Sequence, residues 1–147
     1  MGGSTSRRLT HRDYQALAEL RYLLRRFAAF SEAAARHAGL SAQQHQALLA
    51  VRGFPGLTTL SVGQLAERLQ LRHHSVVGLI DRLAARGLLR RHFDRADRRR
   101  VLLTVTPRGR AHLARLSRAH RQELARLAPM LRVLLRRLEE TTHSRRG

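Results

Sequence analysis

Four arginines stand close together in one short segment of this chain. The segment, residues 94–100, reads Asp-Arg-Ala-Asp-Arg-Arg-Arg and separates two strand-like apolar runs, Leu88–Phe93 and Val101–Thr106. The two runs predict a β-hairpin. Burial of apolar side chains cannot explain its tip, because nearly all of the residues there are charged. Guanidinium groups bind phosphates and are favoured in a narrow minor groove of DNA, where the negative potential is strong. We therefore expect Arg95, Arg98 and Arg100 to contact phosphates or to remain solvated.

A second group of candidate residues opens a predicted helix. On the side away from apolar Val76 and Ile80, its first turns present residues that could face a nucleic acid: Arg72, His73, His74, Ser75, Val77 and Gly78. The first turns of such a helix meet base edges in the major groove, where His and Ser can hydrogen-bond and Val can touch a thymine methyl group. The alternative for the two histidines is a solvated helix start.

Gly78 is unusual because a glycine inside a helix costs about 1 kcal/mol relative to alanine. Either the missing side chain lets the helix lie close to DNA, or the glycine relieves a crowded crossing with another helix. We favour the close approach to DNA.

The elements that position these residues form a predicted helix-turn-helix. Ser61 begins a capping-box pattern that starts its first helix, and similar patterns begin at Ser41 and Thr10. A break at Gln70-Leu71 separates the first helix from the second, which ends at Gly87, the expected left-handed stop. Two short helices joined by a turn of about three or four residues are typical of this DNA-binding motif.

Together, the helix-turn-helix and the arginine hairpin resemble the winged-helix domain of the MarR family of bacterial transcription regulators. The wing signature of that family is an Asp, one intervening residue and an Arg, then a strand ending in apolar-Thr-x-x-Gly. Here these positions are Asp97, Arg99 and Val105-Thr106-Pro107-Arg108-Gly109, and the helical flanks extend the resemblance over nearly the whole chain. The resemblance implies that Arg99 enters the minor groove and that Asp97 shapes the turn and orients Arg99. Gln70 departs from the pattern, because many such motifs carry Gly in the turn.

Leucine-rich helices are predicted on both sides of the winged helix. We expect dimerisation helices over about 10–38 and 107–140 and a winged-helix DNA-binding region over about 41–106, all in a single domain. Pro129 interrupts the C-terminal pattern and predicts a separate final helix. The apolar face of the N-terminal helix is too wide for one neighbour, so a second copy of the chain is expected to cover part of it. The resemblance likewise implies a homodimer with intertwined terminal helices.

The fold class that follows is mainly α. We expect a winged helix-turn-helix domain with a two-stranded β-wing, flanked by N- and C-terminal dimerisation helices. The 147 residues include 29 basic residues, all arginine, and ten acidic ones, for a formal net charge of +19. Such a field favours a polyanion, so double-stranded DNA is the expected partner. A ribosomal or nucleoid protein would share this charge.

Other classes of function lack residues to support them. The chain has no cysteine, which excludes disulfides and thiol redox sensing, and its nine histidines include no His-x-x-x-His pair. Nucleophile elbows, phosphate-binding glycine loops and paired catalytic carboxylates are also missing from the sequence. We therefore expect no enzyme activity, no metal and no cofactor. With neither a signal peptide nor a membrane span in the sequence, a cytoplasmic protein is expected.

The expected function is sequence-specific repression of transcription by a homodimer on an inverted-repeat operator. The resemblance implies release by a small aromatic or amphipathic anionic effector. Phe27, Phe30, His45 and Arg52 are the candidate contacts for it, although each of the two aromatics, taken singly, is better explained as a core residue. The alternative function is an architectural, nucleoid-type protein that coats DNA without an effector.

Overall fold

Five helices and three short strands follow one another in the computed structural model, which describes residues 8–55 and 59–143. The order confirms a mainly α winged helix-turn-helix with long helices at both ends. The elements are α1 (His11–His37), α2 (Ala42–Arg52), β1 (Leu60–Ser61), α3 (Val62–Leu69), α4 (His73–Ala85), β2 (Leu89–Phe93), β3 (Val101–Val105) and α5 (Pro107–His143). None of the described helices combines the length and apolar character that a membrane span needs.

The chain forms two compact units. One is Ser31–Ala119, which contains the helix-turn-helix and the sheet, and the other is built from Met1–Phe30 and His120–Gly147. Each unit has its own apolar core. In the first, the helix-turn-helix packs on α2 and the sheet through Leu48, Leu65, Leu79, Ile80, Leu83 and Leu103, whereas the second centres on Ala16, Leu23, Leu127 and Leu134.

Side-chain caps fix the starts of three helices. Ser41 and Ser61 each accept a hydrogen bond from the backbone N–H three residues ahead, and the glutamine at that position accepts one from the serine's own N–H. The backbone N–H and the hydroxyl of Thr10 both donate to Oδ2 of Asp13, at 2.7 and 2.8 Å. These reciprocal bonds satisfy donors that a helix start otherwise leaves unpaired. All three predicted helix starts are confirmed.

The turn between α3 and α4 is made by Gln70. Its backbone is left-handed, with φ 53° and ψ 42°, a conformation that glycine adopts most readily. The side-chain amide of Gln70 donates to the carbonyl oxygen of Glu67 at 2.7 Å, and the N–H of Leu71 donates to that of Ala66 at 3.0 Å. Gln70 therefore forms the turn that many such motifs form with Gly, and the helix-turn-helix is confirmed.

The sheet is antiparallel and has three strands in the order β1-β3-β2. Phe93 lies opposite Val101 in the β2–β3 hairpin, and Leu60 lies opposite Leu103 in the β1–β3 pair. The predicted two-stranded β-wing is confirmed as the β2–β3 hairpin, and the residues just before α3 add a third strand that was not predicted. Two residues are too few to show alternation in a sequence. Leu60 pairs here because its fully buried side chain packs in the core beside Leu103.

The C-terminal segment is one continuous helix, so the prediction that Pro129 opens a separate helix was wrong. Pro129 lies inside α5. A proline within a helix cannot donate to the carbonyl four residues earlier and usually kinks or ends the helix. Here Leu127 and Leu134, one on each side of Pro129, are both buried in the same core with Ala16 and Leu23 of α1. Packing on both sides of the proline favours continuing the helix over breaking it.

Thr106 joins the sheet to α5. Its N–H donates to the carbonyl oxygen of Leu88 at 3.1 Å, its hydroxyl donates to that of Gly87 at 2.6 Å, and its Oγ1 accepts from the N–H of Gly109 at 3.0 Å. A Cβ added to buried Gly109 would collide with the Leu88 carbonyl oxygen and lie 2.7 Å from Val105. The Thr-x-x-Gly pattern therefore fixes the start of α5 at the corner between α4 and β2.

Candidate nucleic-acid interface

The start of α4 presents its polar residues to solvent. His73, His74 and Ser75 are exposed, and Val77 is 37% exposed. Arg72, at the N-cap position, is also exposed and makes no side-chain capping bond, so its guanidinium is not committed to the helix end. The opposite side of the helix is buried through Val76, Leu79, Ile80 and Leu83. The structure thus brings the predicted contact residues together on one accessible surface.

Gly78 lies at the same surface without a crowded neighbour. Apart from its two chain neighbours and the backbone of its own helix, the one atom of the described residues within 4 Å of an added Cβ is a guanidinium nitrogen of Arg82, at 3.3 Å, on the same helix. Arg82 is exposed and can move aside. A crowded crossing with another helix therefore does not explain this glycine.

Two aspartates shape the tip of the wing. Asp94 accepts a hydrogen bond from the N–H of Ala96 at 2.9 Å, and its own N–H donates to the carbonyl oxygen of Arg100 at 3.0 Å. The carboxylate of Asp97 accepts from the N–H of Arg99 at 3.0 Å, and the Asp97 carbonyl oxygen accepts from the N–H of Arg100 at 2.9 Å. Asp97 therefore holds the backbone that carries Arg99.

The tip arginines keep their charge accessible. All four are exposed, and the guanidinium of Arg100 lies 3.7 Å from the Asp94 carboxylate. Within the described part of the chain, Arg95, Arg98 and Arg99 form no ion pair. Cations of this kind can replace the counterions of a nucleic-acid backbone.

A groove of about 420 Å³ links α4 to the wing. Its wall includes His73 and Val77 from α4 and Arg99 and Arg100 from the wing, together with Gly63 at the start of α3. Residues far apart in the sequence, from two predicted contact elements, therefore line one open surface. This surface can offer hydrogen-bond donors and cations to a single polyanion.

An ion pair between Asp81 and Arg91 connects α4 to β2 and was not predicted. Asp81 is on α4, Arg91 is on β2, and both side chains are about half exposed. Arg91 also lines the groove. The alternation of side chains along a strand could have identified Arg91, because it lies two positions after buried Leu89 and therefore on the same face of the strand.

The candidate effector contacts fall into two groups. Phe27 and Phe30 both meet the ring of His120 edge-on, with ring centroids 5.8 and 5.5 Å apart. His45 is buried in α2, and Arg52 is exposed at the end of that helix. His45 and Arg52 belong to the Ser31–Ala119 unit, whereas the two phenylalanines belong to the other unit.

Histidines elsewhere do not assemble a metal site in the described chain, where no three His, Asp or Glu side chains lie close enough to share an ion. His37 is exposed, and its Nδ1 lies 2.7 Å from the Ala33 carbonyl oxygen. His112 has its Nδ1 buried, in a helix segment whose neighbours Leu113 and Leu116 are core residues. These surroundings indicate structural roles.

Comparisons with known proteins agree with this geometry. Residues 38–100 match the model of the MarR family. A probable transcriptional regulator from Pseudomonas aeruginosa is 31% identical, with a TM-score of 0.60 and coverage of 81% of this chain and 92% of that one. Bordetella bronchiseptica BpsR, whose DNA binding is regulated by 6-hydroxynicotinic acid, is 29% identical, with a TM-score of 0.61 and coverage of 88% and 98%.

A third similar structure shares the fold. AbsC, a MarR family transcriptional regulator from Streptomyces coelicolor, has a TM-score of 0.71 at 20% identity, with coverage of 97% of this chain and 99% of that one. No curated protein matches the chain.

Proposed function

The chain belongs to the MarR family of DNA-binding transcription regulators, and on that premise we propose that it represses transcription as a homodimer on an inverted-repeat operator. The observation that carries the proposal is the groove between α4 and the wing. His73 and Val77 line it with Arg99 and Arg100, so one surface offers both base-reading and phosphate-binding groups. Phosphate contacts position a protein on DNA, and base contacts give specificity.

Each element has a distinct role in this proposal. The exposed start of α4 enters the major groove, where His73 and His74 hydrogen-bond to bases or phosphates. Gly78 allows the helix to lie close to the duplex. Arg99 enters the adjacent minor groove, held by the bond between its N–H and Asp97. The remaining proposed contacts are Arg72, Ser75 and Val77 on the helix and Arg95 and Arg98 on the wing.

Exposed apolar side chains support a homodimer. On α1, Tyr14, Leu17 and Leu24 are each more than two-fifths exposed, and on α5 the same is true of Met130 and Leu135. Exposed apolar area of this kind is costly in water and typical of surfaces that bind another protein. Association of two copies about a two-fold axis would bury it. A symmetric dimer places two copies of α4 on related half-sites, which is why the operator is proposed to be an inverted repeat.

A small aromatic anion is the proposed effector. BpsR provides a parallel, because 6-hydroxynicotinic acid regulates its DNA binding. The candidate contacts are considered one at a time: Phe27 and Phe30 are half-buried aromatic residues of one compact unit, and Arg52 is an exposed cation of the other. His45 completes the set of residues to be substituted one at a time.

A binding comparison tests the regulator proposal. Anisotropy would measure the affinity for a duplex from the region upstream of the protein's own gene and for a scrambled duplex of equal length and composition. At physiological salt, a regulator should bind the first at least about 10³-fold more tightly, and light scattering should find two chains per duplex. Equal affinities would favour the architectural alternative, which the net charge of +19 alone could support.

The effector is tested by reciprocity. Ligand binding can release DNA only through a coupling free energy, and each tenfold loss of operator affinity requires about 1.4 kcal/mol. Operator DNA must then weaken ligand binding by the same factor. Titration with 6-hydroxynicotinic acid and other aromatic carboxylates, with and without operator, should find equal factors in both directions. A protein that binds its operator but is released from it by none of these acids would contradict the proposed effector class.

A further inference from the structure

Phe93 is the most exposed large apolar residue of the described chain. The residue is 69% exposed, although it lies within strand β2 and is paired with Val101 of β3. A phenylalanine so exposed adds little to the core of its own unit. Its place in the fold suggests that it contacts a binding partner instead.

Phe93 lies on the groove side of the wing. Side chains directly opposite each other in an antiparallel pair share one face of the sheet. Val101, the partner of Phe93, lines the groove together with His73 and Val77. Arg91, two positions before Phe93 and therefore on the same face, lines it as well. The aromatic ring thus extends this face toward the tip, beyond Arg91.

The charge of the residues next to Phe93 indicates what kind of molecule binds to this face. Phe93 directly precedes the tip, where Arg95, Arg98 and Arg99 are exposed and form no ion pair within the described chain. A partner that accepts this cluster of cations is a polyanion, and a partner that also accepts Phe93 must present apolar surface beside its charges. The minor groove of duplex DNA has this combination, because deoxyribose rings form its walls between the phosphates.

We propose that Phe93 packs against the deoxyribose wall of the minor groove that the wing enters. This inference rests on the proposed DNA-binding function and adds to it an uncharged contact that the arginines cannot supply. The contact removes apolar surface of both Phe93 and the sugars from water. Its energy therefore has little dependence on salt, unlike the energy of an arginine on a phosphate.

The test compares Phe93→Ala and Phe93→Leu with Leu49→Ala, a half-exposed leucine on α2 that does not line the groove. Operator affinity would be measured at several salt concentrations. Phe93→Ala should weaken binding about tenfold, equivalent to about 1.4 kcal/mol, with the log–log salt slope unchanged. Phe93→Leu should retain part of the affinity, and Leu49→Ala should retain all of it. Unchanged melting temperatures would show that the variants still fold.

Hydroxyl-radical footprinting locates the contact, because the radical attacks deoxyribose in the minor groove. Phe93→Ala should lose protection at a few sugars beside the wing and keep the rest of the footprint. Affinity within twofold of wild type, or a lower salt slope with unchanged sugar protection, would overturn the inference. Failure of the proposed function would be distinct, since the wild-type protein would then bind operator and scrambled duplexes equally.

Discussion

Gly78→Ala should make the free protein more stable and its DNA complex weaker. In the free protein, the added methyl group meets only the mobile guanidinium end of Arg82. Replacing glycine by alanine inside a helix should then raise the free energy of unfolding by up to about 1 kcal/mol. For a chain of this size, the melting temperature should rise by about 2–4 °C.

On DNA the same methyl group should be unfavourable. If α4 approaches the duplex closely at Gly78, the methyl group occupies space that the DNA needs. Forcing a methyl group into a close-packed contact costs about 1–3 kcal/mol. Operator affinity should therefore fall by about ten- to hundredfold.

Thermal unfolding followed by circular dichroism and anisotropy titration of a labelled operator measure the two effects. Ala85→Ser is the matched control, because it adds one heavy atom to an exposed position at the far end of α4. The control should bind DNA like wild type. A Gly78→Ala protein that is more stable and binds operator with wild-type affinity would refute the close approach. A less stable variant would refute the open environment of the Gly78 Cα.

Three further substitutions, with Gly63→Ala as a control, test the wing and the corner that supports it. Arg99→Ala should weaken operator binding. It should also reduce by about 0.9 the slope of the logarithm of the binding constant against the logarithm of the salt concentration, measured by anisotropy from low to physiological salt. An unchanged slope would contradict the contact between Arg99 and the phosphates. Gly109→Ala should lower stability by about 1–3 kcal/mol in thermal melts, because its Cβ collides with the backbone of Leu88. Gly63→Ala should leave stability unchanged, because no atom of the described residues beyond its chain neighbours and its own helix backbone lies within 4 Å of the new Cβ. Asp81→Asn breaks a half-exposed ion pair to the wing, so stability should change by less than about 1 kcal/mol while operator affinity falls.

Local signals made much of the fold predictable. The Ser41 and Ser61 caps are short-range hydrogen-bond patterns, so their residues and spacing are visible in the sequence and their bonds form as expected. Gly87 was predicted to end α4 and has φ +67°, and the aspartates near the hairpin tip make the local bonds that shape it. These features depend on residues within a few positions of one another.

Features set by long-range packing were predicted poorly. Pro129 reads as a helix break, and only the burial of Leu127 and Leu134 with α1 explains why α5 continues through it. The short strand at Leu60 exists because β3 lies beside it, and the partner of Leu60 in β3 is Leu103, 43 residues later in the chain. The Asp81–Arg91 pair likewise depends on how β2 lies against α4. In the candidate interface, the contact residues remain a prediction from the sequence, and the groove that joins helix and wing became visible only in the structure.

Footprinting of the wild-type protein on the region upstream of its own gene tests the central claim most directly. A homodimeric repressor should protect two half-sites related by inverted symmetry on one face of the duplex, with centres about 34–36 Å apart or a multiple of that distance. The protection should appear at concentrations that leave unrelated DNA unprotected. Uniform protection along any duplex, at the same concentration and without a repeat, would contradict a sequence-specific regulator.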